Sequence, residues 1–451
     1  MNNMKYLVGL DIGTSSVKGV LMTTDGKVEA KAHEIFDYIE FPNGGLEIEA
    51  NSFLTSCLKA VKTLINSAKG NEILGICASS ANGNLVVLDK DLNPATPIIS
   101  WQDKRVGNEA KEVLDELDIN SIYRRIGWPF GYKTFPLAQL CYIKKHQPEI
   151  LKNAGMVTMS TEFFCYALTG KWGISSSSGT PFYLMDQTTG KYIPELLEKL
   201  GISENILPPI MKCGEILGIT TEEIAKKIGI PAGIPVILGS FDHPCAARGV
   251  GVLEEGQMLL SCGTSWVGFL PVKSREKILN AKTLIDPFLS EKGGCWATMI
   301  SVSSISGRIK LYVEKYIDNS DKAFVRLREL ASKSESGAGG LSINLRDEPS
   351  DELILKYPKE HIARAIMEGT VKLLKEKLDI LKEKEIFADS AIMVGGPSEN
   401  SLWLDIIEEM CGIPVKIVYG AVAGAVGAAI LAGIGTGVYK DEYQAQRVIG
   451  E

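Results

Sequence analysis

One pattern constrains this chain more than any other: an apolar strand, a Gly-Thr-Ser turn and a returning strand, met twice. In the first copy Tyr6-Leu7-Val8-Gly9-Leu10 runs into Asp11-Ile12-Gly13-Thr14-Ser15-Ser16, and Val17 to Met22 returns. In the second, Met258-Leu259-Leu260-Ser261-Cys262 runs into Gly263-Thr264-Ser265, and Trp266 to Leu270 returns. Short apolar runs joined by small and polar turn residues read as hairpins. One hairpin in each half of a 451-residue chain predicts two similarly built domains. Gly249, Gly251 and Gly256 punctuate residues 243–255 and place the hinge there, dividing the chain into 1–243 and 244–451.

The elements around the hairpins predict an α/β fold. Residues 51–68 carry Phe53, Leu54, Cys57, Leu58, Val61, Leu64 and Ile65 at helical spacing, and Ile73 to Ala78 reads as a buried strand. Residues 360–387 read as a long amphipathic helix whose outer face alternates Glu and Lys, a solvated surface. Ser390 to Val394 is a short strand ending in Gly395-Gly396, and Trp403 to Met410 is the next helix. From Gly420 to Val438 no residue is charged, and Gly420 with Gly424 makes a GxxxG. Length alone admits a membrane span. Gly and Ala supply little transfer energy, however, so the run reads as a buried helix packed closely on a neighbour.

Composition narrows the function classes. Hydrophobic residues at 45% and charged residues at 23% exclude a disordered chain, and a net charge of −7 argues against a broad nucleic-acid surface. Nine cysteines without a CxxC pair, beside four histidines, give little support to a zinc cluster and point to a reducing compartment. The first apolar run is too short for a signal-peptide core. The expectation is a cytoplasmic enzyme, without a membrane or nucleic-acid partner.

The chemistry-bearing residues cluster at the turns. Gly13 allows backbone N–H groups to approach a ligand, Thr14 and Ser15 add hydroxyls, and Lys18 adds a positive charge: a phosphate-binding set. Asp11 repels phosphate, and makes sense if Mg²⁺ lies between them. An ordinary hairpin with an Asx-type turn is the plain alternative. Gly263 and Thr264 offer similar donors in the second half. Asp242 follows the apolar run Pro235 to Leu238, where a carboxylate can take the proton of an attacking hydroxyl; a helix N-cap is its plain alternative. The lone His243 beside it reads as structural. In Trp101-Gln102-Asp103-Lys104-Arg105 the indole suits a sugar face and Asp103 suits hydroxyls, although Asp103 can equally pair with Arg105. Gly395 and Gly396 admit a flat ring or phosphate, and Asn400 an adenine edge.

In this order the motifs resemble those of the FGGY family of carbohydrate kinases, over roughly residues 6–438. They include the first phosphate turn, WQDKR at 101–105, the GSFD segment ending in Asp242, the SCGTS turn, VGGPSEN around Gly396 and the closing Val426-Gly427-Ala428-Ala429. The resemblance implies two actin-like (ribonuclease H-like) domains with ATP, Mg²⁺ and a small sugar, ketose or polyol in a cleft. By that likeness Asp242 is the catalytic base and Asp11 serves the metal. Thr14, Ser15, Lys18, Gly263 and Thr264 serve the phosphates, Gly395, Gly396 and Asn400 the adenosine, and Asn82, Trp101 and Asp103 the sugar. A homodimer is left open. Departures fall where substrate is chosen: Ser80-Ala81-Asn82-Gly83-Asn84 replaces a more usual sugar-contact stretch. Glu162 stands for a usual Asp, Ser175 to Ser178 for a stretch that often holds an acid, Tyr192 for a Trp and Val422 for an acid. A sugar- or nucleotide-responsive binding protein without turnover is the alternative on the same fold. A chaperone-like ATPase leaves Trp101, Asp103 and Asp242 unexplained.

Overall fold

The computed structural model describes residues 4–81, 83–129, 135–396, 401–418 and 422–450. The first hairpin forms as its pattern predicts. Strand β1 (Lys5–Ile12) pairs antiparallel with β2 (Ser16–Thr23), and β2 with β3 (Val28–Ile35). On the other side of β1 lies β4 (Glu72–Ser80), parallel to it, and then β5 (Pro235–Phe241), parallel to β4. Parallel neighbours need a crossover, and the amphipathic helix Ala50–Ser67 supplies the one between β3 and β4.

Strand alternation decides which side chains meet. Tyr6, Val8, Leu10 and Ile12 face one core, shared with Phe53, Val61 and Leu64 of the 50–67 helix. Leu7, Val20, Met22, Cys77 and Ile237 face the other, against the helix Ala423–Gly435. Gly9 and Asp11 share the parity of Leu7, Lys18 that of Val20, and Ser79 that of Cys77. All therefore belong to the face covered by the 423–435 helix.

That helix is the uncharged Gly/Ala run, and it is buried. Among the described residues no helix is long and apolar enough to cross a membrane. Its small residues permit backbone contact: a Cβ on Gly427 would fall 1.8 Å from the Cys245 carbonyl oxygen, and one on Gly9 1.9 Å from that of Ala425. A side chain at Gly9 would force the helix off the sheet, and one at Gly427 would force it off the neighbouring helix Asp242–Val250.

The second hairpin repeats the plan. Strand β6 (Gly256–Cys262) pairs antiparallel with β7 (Trp266–Val272), and β7 with β8 (Trp296–Val302). Beside β6 lies the parallel β9 (Ala388–Gly395), and beyond it the parallel β10 (Val415–Ile417). Five of the six strands of the first sheet, in the order β5-β4-β1-β2-β3, thus recur in the second six-stranded sheet as β10-β9-β6-β7-β8. Two compact units result: Met1–Leu253 with Leu284–Gly294 and Val422–Glu451, and Glu254–Thr283 with Cys295–Ala421. Compared with a linear division into 1–243 and 244–451, the first unit runs on to Leu253 and two further segments of the second half return to it. The 423–435 helix is one, because its small-residue face fits β1. The predicted helix 360–387 is observed as Lys359–Lys382.

Candidate active site

The C-terminal ends of β1, β4 and β5 lie side by side, so the residues closing these three strands are brought together. Asp11 stands opposite Lys18 in the β1/β2 ladder and opposite Ser79 in the β1/β4 ladder. The Ser79 hydroxyl donates to Asp11 Oδ1 at 3.4 Å. A Cβ on Gly424 would fall 2.6 Å from Asp11 Oδ2, so the first turn of the 423–435 helix rests on this carboxylate. Asp242 opens the helix Asp242–Val250 directly after β5, and its Oδ1 accepts from the His243 backbone N–H at 2.7 Å. Its side chain keeps 28% of its surface accessible. That is compatible with a carboxylate awaiting a ligand.

The electrostatics tie Asp11 and Asp242 to one site. Burial, and then the charge of Asp242, push Asp11 up to about 7, while Lys18 and the Ser79 hydroxyl pull it down. Burial also raises Asp242, opposed by His243 through its charge and its backbone N–H. A buried carboxylate raised by the charge of a second one is suited to sharing a cation with it.

The turn itself is built by main-chain bonds. Gly13 N donates to Ser16 O at 2.9 Å, and the Tyr38 hydroxyl to Thr14 O at 2.6 Å. In the second unit Gly263 N donates to Ser265 O at 3.1 Å, and the Ser304 backbone N–H to Ser265 Oγ at 3.0 Å. Gly263 and Thr264 are exposed. Cys262 pairs with Gly395 in the β6/β9 ladder, so this turn and the exposed Gly395-Gly396 share one end of the sheet. Gly395 adopts φ 103°, and a Cβ there would meet the Cys262 carbonyl oxygen at 2.3 Å.

Trp101 and Asp103 part company. Trp101 connects to the residue before Asp242 through a run of aromatic rings. It stacks on Phe135 at 6.4 Å, Phe135 meets Trp128 at 5.0 Å, and Trp128 meets Phe241, the residue before Asp242, at 5.6 Å. The Trp101 indole N–H is buried and finds no acceptor among the described residues. Asp103 is 0% exposed and fully engaged. It accepts from Leu46 N at 2.9 Å and from Arg105 Nη2 at 2.6 Å, the pairing that the sequence left open. Asn84 is buried as well, its Oδ1 holding Trp101 N at 3.0 Å. Asn82 and Asn400 lie outside the described residues. Among described residues no group of three or more His, Cys, Asp or Glu side chains gathers as a metal site.

Sequence reasoning missed Ser79, Ser177, Asp286 and Gly424. Strand parity pointed to Ser79, and the GxxxG pointed to Gly424 as a contact residue. For Asp286 the sequence carries no local signal.

The N-terminal domain model of the FGGY family of carbohydrate kinases matches residues 6–249, and its C-terminal domain model residues 326–436. The chain belongs to the FGGY family of carbohydrate kinases. Among similar proteins are a xylulose kinase of Bacillus subtilis (strain 168), 26% identical with 97% of this chain and 89% of that one covered, and an autoinducer-2 kinase of Escherichia coli (strain K12), 26% identical over 96% and 87%. A gluconate kinase structure from Lactobacillus acidophilus superposes with a TM-score of 0.88 at 21% identity, over 99% of this chain and 92% of that one, and shares the fold. The two units therefore carry the actin-like plan of FGGY kinases. The protein is a phosphotransferase with a carbohydrate hydroxyl as acceptor and ATP as donor.

Proposed function

We propose that this kinase phosphorylates a small sugar, ketose or polyol, with Asp242 as the general base. The observation that carries the reading is the meeting of Asp11, Lys18 and the part-exposed Asp242 at one edge of the first sheet. Asp242 takes the proton from the acceptor hydroxyl as its oxygen attacks the γ-phosphorus. The new O–P bond forms while the bond to the ADP oxygen breaks, and the raised affinity of Asp242 for protons makes it the better acceptor.

Thr14, Ser15 and Lys18 serve the phosphates as donors and charge, as do Gly263 and Thr264 from the second unit. Gly395 and Gly396 leave room for the nucleoside. Asp11, with Asp242 near it, has the chemistry to hold Mg²⁺, which is commonly bound by one or two carboxylates plus substrate phosphates. When bound, the ion supplies neutralisation of phosphate charge. Trp101 supplies an apolar face for the sugar and an N–H without an acceptor among the described residues, which a substrate hydroxyl would satisfy. Asp103 supports this loop by holding Arg105 and strand Leu46–Ile48.

The test is ADP release from ATP and Mg²⁺ across ketopentoses, other ketoses and aldoses, polyols and gluconate. Strong stimulation by at least one acceptor is the expected result. Binding of acceptors by calorimetry with no turnover for any would overturn catalysis in favour of a sensor.

A further inference from the structure

The turn that presents Asp242 is enclosed by a ring of hydrogen bonds whose key members come from a distant part of the chain. Segment Leu284–Gly294 belongs to the first unit although the sequence on both sides of it belongs to the second. Within it, Asp286 is 1% exposed. Its Oδ2 accepts from the Ser177 hydroxyl at 2.7 Å, and the Ser177 oxygen in turn accepts from the Phe241 backbone N–H at 3.1 Å. The residue immediately before Asp242 is thereby pinned. Asp286 Oδ1 accepts from Phe288 N at 2.8 Å, and the Phe288 carbonyl accepts from Arg248 Nη2 at 2.8 Å. Arg248 rides on the helix that Asp242 opens and also donates to Pro244 O at 3.1 Å, inside that helix's first turn. The same segment holds the ring beside Phe241: Trp128 Nε1 donates to Ile285 O at 3.2 Å.

A buried carboxylate is costly unless its hydrogen bonds are in place. Here Asp286 Oδ2 reaches the Phe241 N–H through Ser177, while Oδ1 holds the Phe288 turn whose carbonyl accepts from Arg248. Phe288 even adopts φ 44° within this ring. Packing alone would be served by an apolar residue at 286. What the polar chain adds is direction, since it fixes the strand-to-helix bend from which one carboxylate projects.

We propose that Ser177 and Asp286 are positioning residues for the Asp242 base, acting through the Phe241 N–H. The inference rests on the reading of Asp242 as that base. Ser177 lies in the Ser175 to Ser178 run, so the serines there have a use without an acid among them.

The experiment is a double-mutant cycle in the full chain, with kcat and the KM for ATP and acceptor measured for S177A, D242N and S177A/D242N. Removing the Ser177 hydroxyl should lower kcat about 10- to 100-fold with both KM values within about twofold. In the D242N background the same change should cost less than about twofold, because Ser177 then has no base to direct. Wild-type kcat in S177A, or an equal loss in both backgrounds, would overturn the proposal. If D242N itself turns over at the wild-type rate, the base assignment fails first; if D242N is impaired and S177A is not, only the positioning role fails. Should S177A prove insoluble, D286N enters the same cycle, since the amide keeps the shape of the carboxylate and one acceptor oxygen. The same two outcomes decide it.

Discussion

The two hairpins share a strand plan and differ in charge. Where the first ladder sets Asp11 opposite Lys18, the second sets Ser261 opposite Val267. The first turn lies at the strand ends that gather Asp11, Ser79 and Asp242, whereas the second borders Gly395-Gly396 and exposes Gly263 and Thr264. A repeated backbone therefore does not repeat chemistry. Two sheets with one strand plan can carry charged side chains at the strand ends in one case and neutral ones in the other. The difference comes from side chains at matched ladder positions, and from the 423–435 helix that covers only the first.

The largest effect expected from this contrast is on Asp242. Its replacement by Asn should reduce kcat roughly 10²–10⁴-fold while acceptor binding, measured by calorimetry, persists. In the wild type, kcat/KM should fall on the acid side of a profile at a pH above the ordinary carboxylate range, since the base must be ionised and burial raises it. Next comes Lys18→Ala, which removes the charge that the second turn lacks. Its kcat/KM for ATP should drop about 10²-fold, measured by initial rates at fixed acceptor. Thr264→Ala removes one neutral donor and should raise the KM for ATP by about 10-fold. If Thr264→Ala proves more damaging than Lys18→Ala, the contrast between an ionic and a neutral turn is broken.

The smallest effect concerns stability. Asp11 is raised to about 7 in the folded chain against an ordinary value near 4 when unfolded. Between those values the folded state binds the proton more tightly, so its stability declines as pH rises toward 7 and stays reduced above it. D11N removes that burden. Its Tm in metal-free buffer should exceed the wild type's by a few degrees above pH 7, with the gap closing toward pH 4. Scanning calorimetry at several pH values measures it, and a gap independent of pH would sink the reading.

Much of the fold was legible in the chain because short continuous apolar runs announce buried strands locally. Val8, Leu10 and Ile12 on one parity, with Leu7 on the other, predict a strand buried on both faces before any partner is known. The turn residues Gly13 and Gly263 were legible for the same reason. Asp103 was not, because its two readings, sugar contact and partner of Arg105, use the same atoms, and only the neighbouring Leu46 N–H and the buried setting decide between them. Asp286 was illegible because Ser177, from whose hydroxyl it accepts, lies 109 positions away in the chain, and the Phe241 N–H that Ser177 holds in turn lies 64 positions from Ser177.

By its sequence alone this protein was bound to two hairpin-centred α/β sheets, to a Gly/Ala helix able to touch backbone, and to a carboxylate at the end of an apolar strand, since local periodicity and side-chain size dictate these. The tertiary structure alone decided that Asp11 and Asp242 share one electrostatic environment, that Asp103 is spent on Arg105, and that buried Asp286 accepts from the Ser177 hydroxyl, which accepts from the Phe241 N–H. Those outcomes depend on which strand ends become neighbours and on the burial this produces, and no stretch of the chain read in isolation contains either.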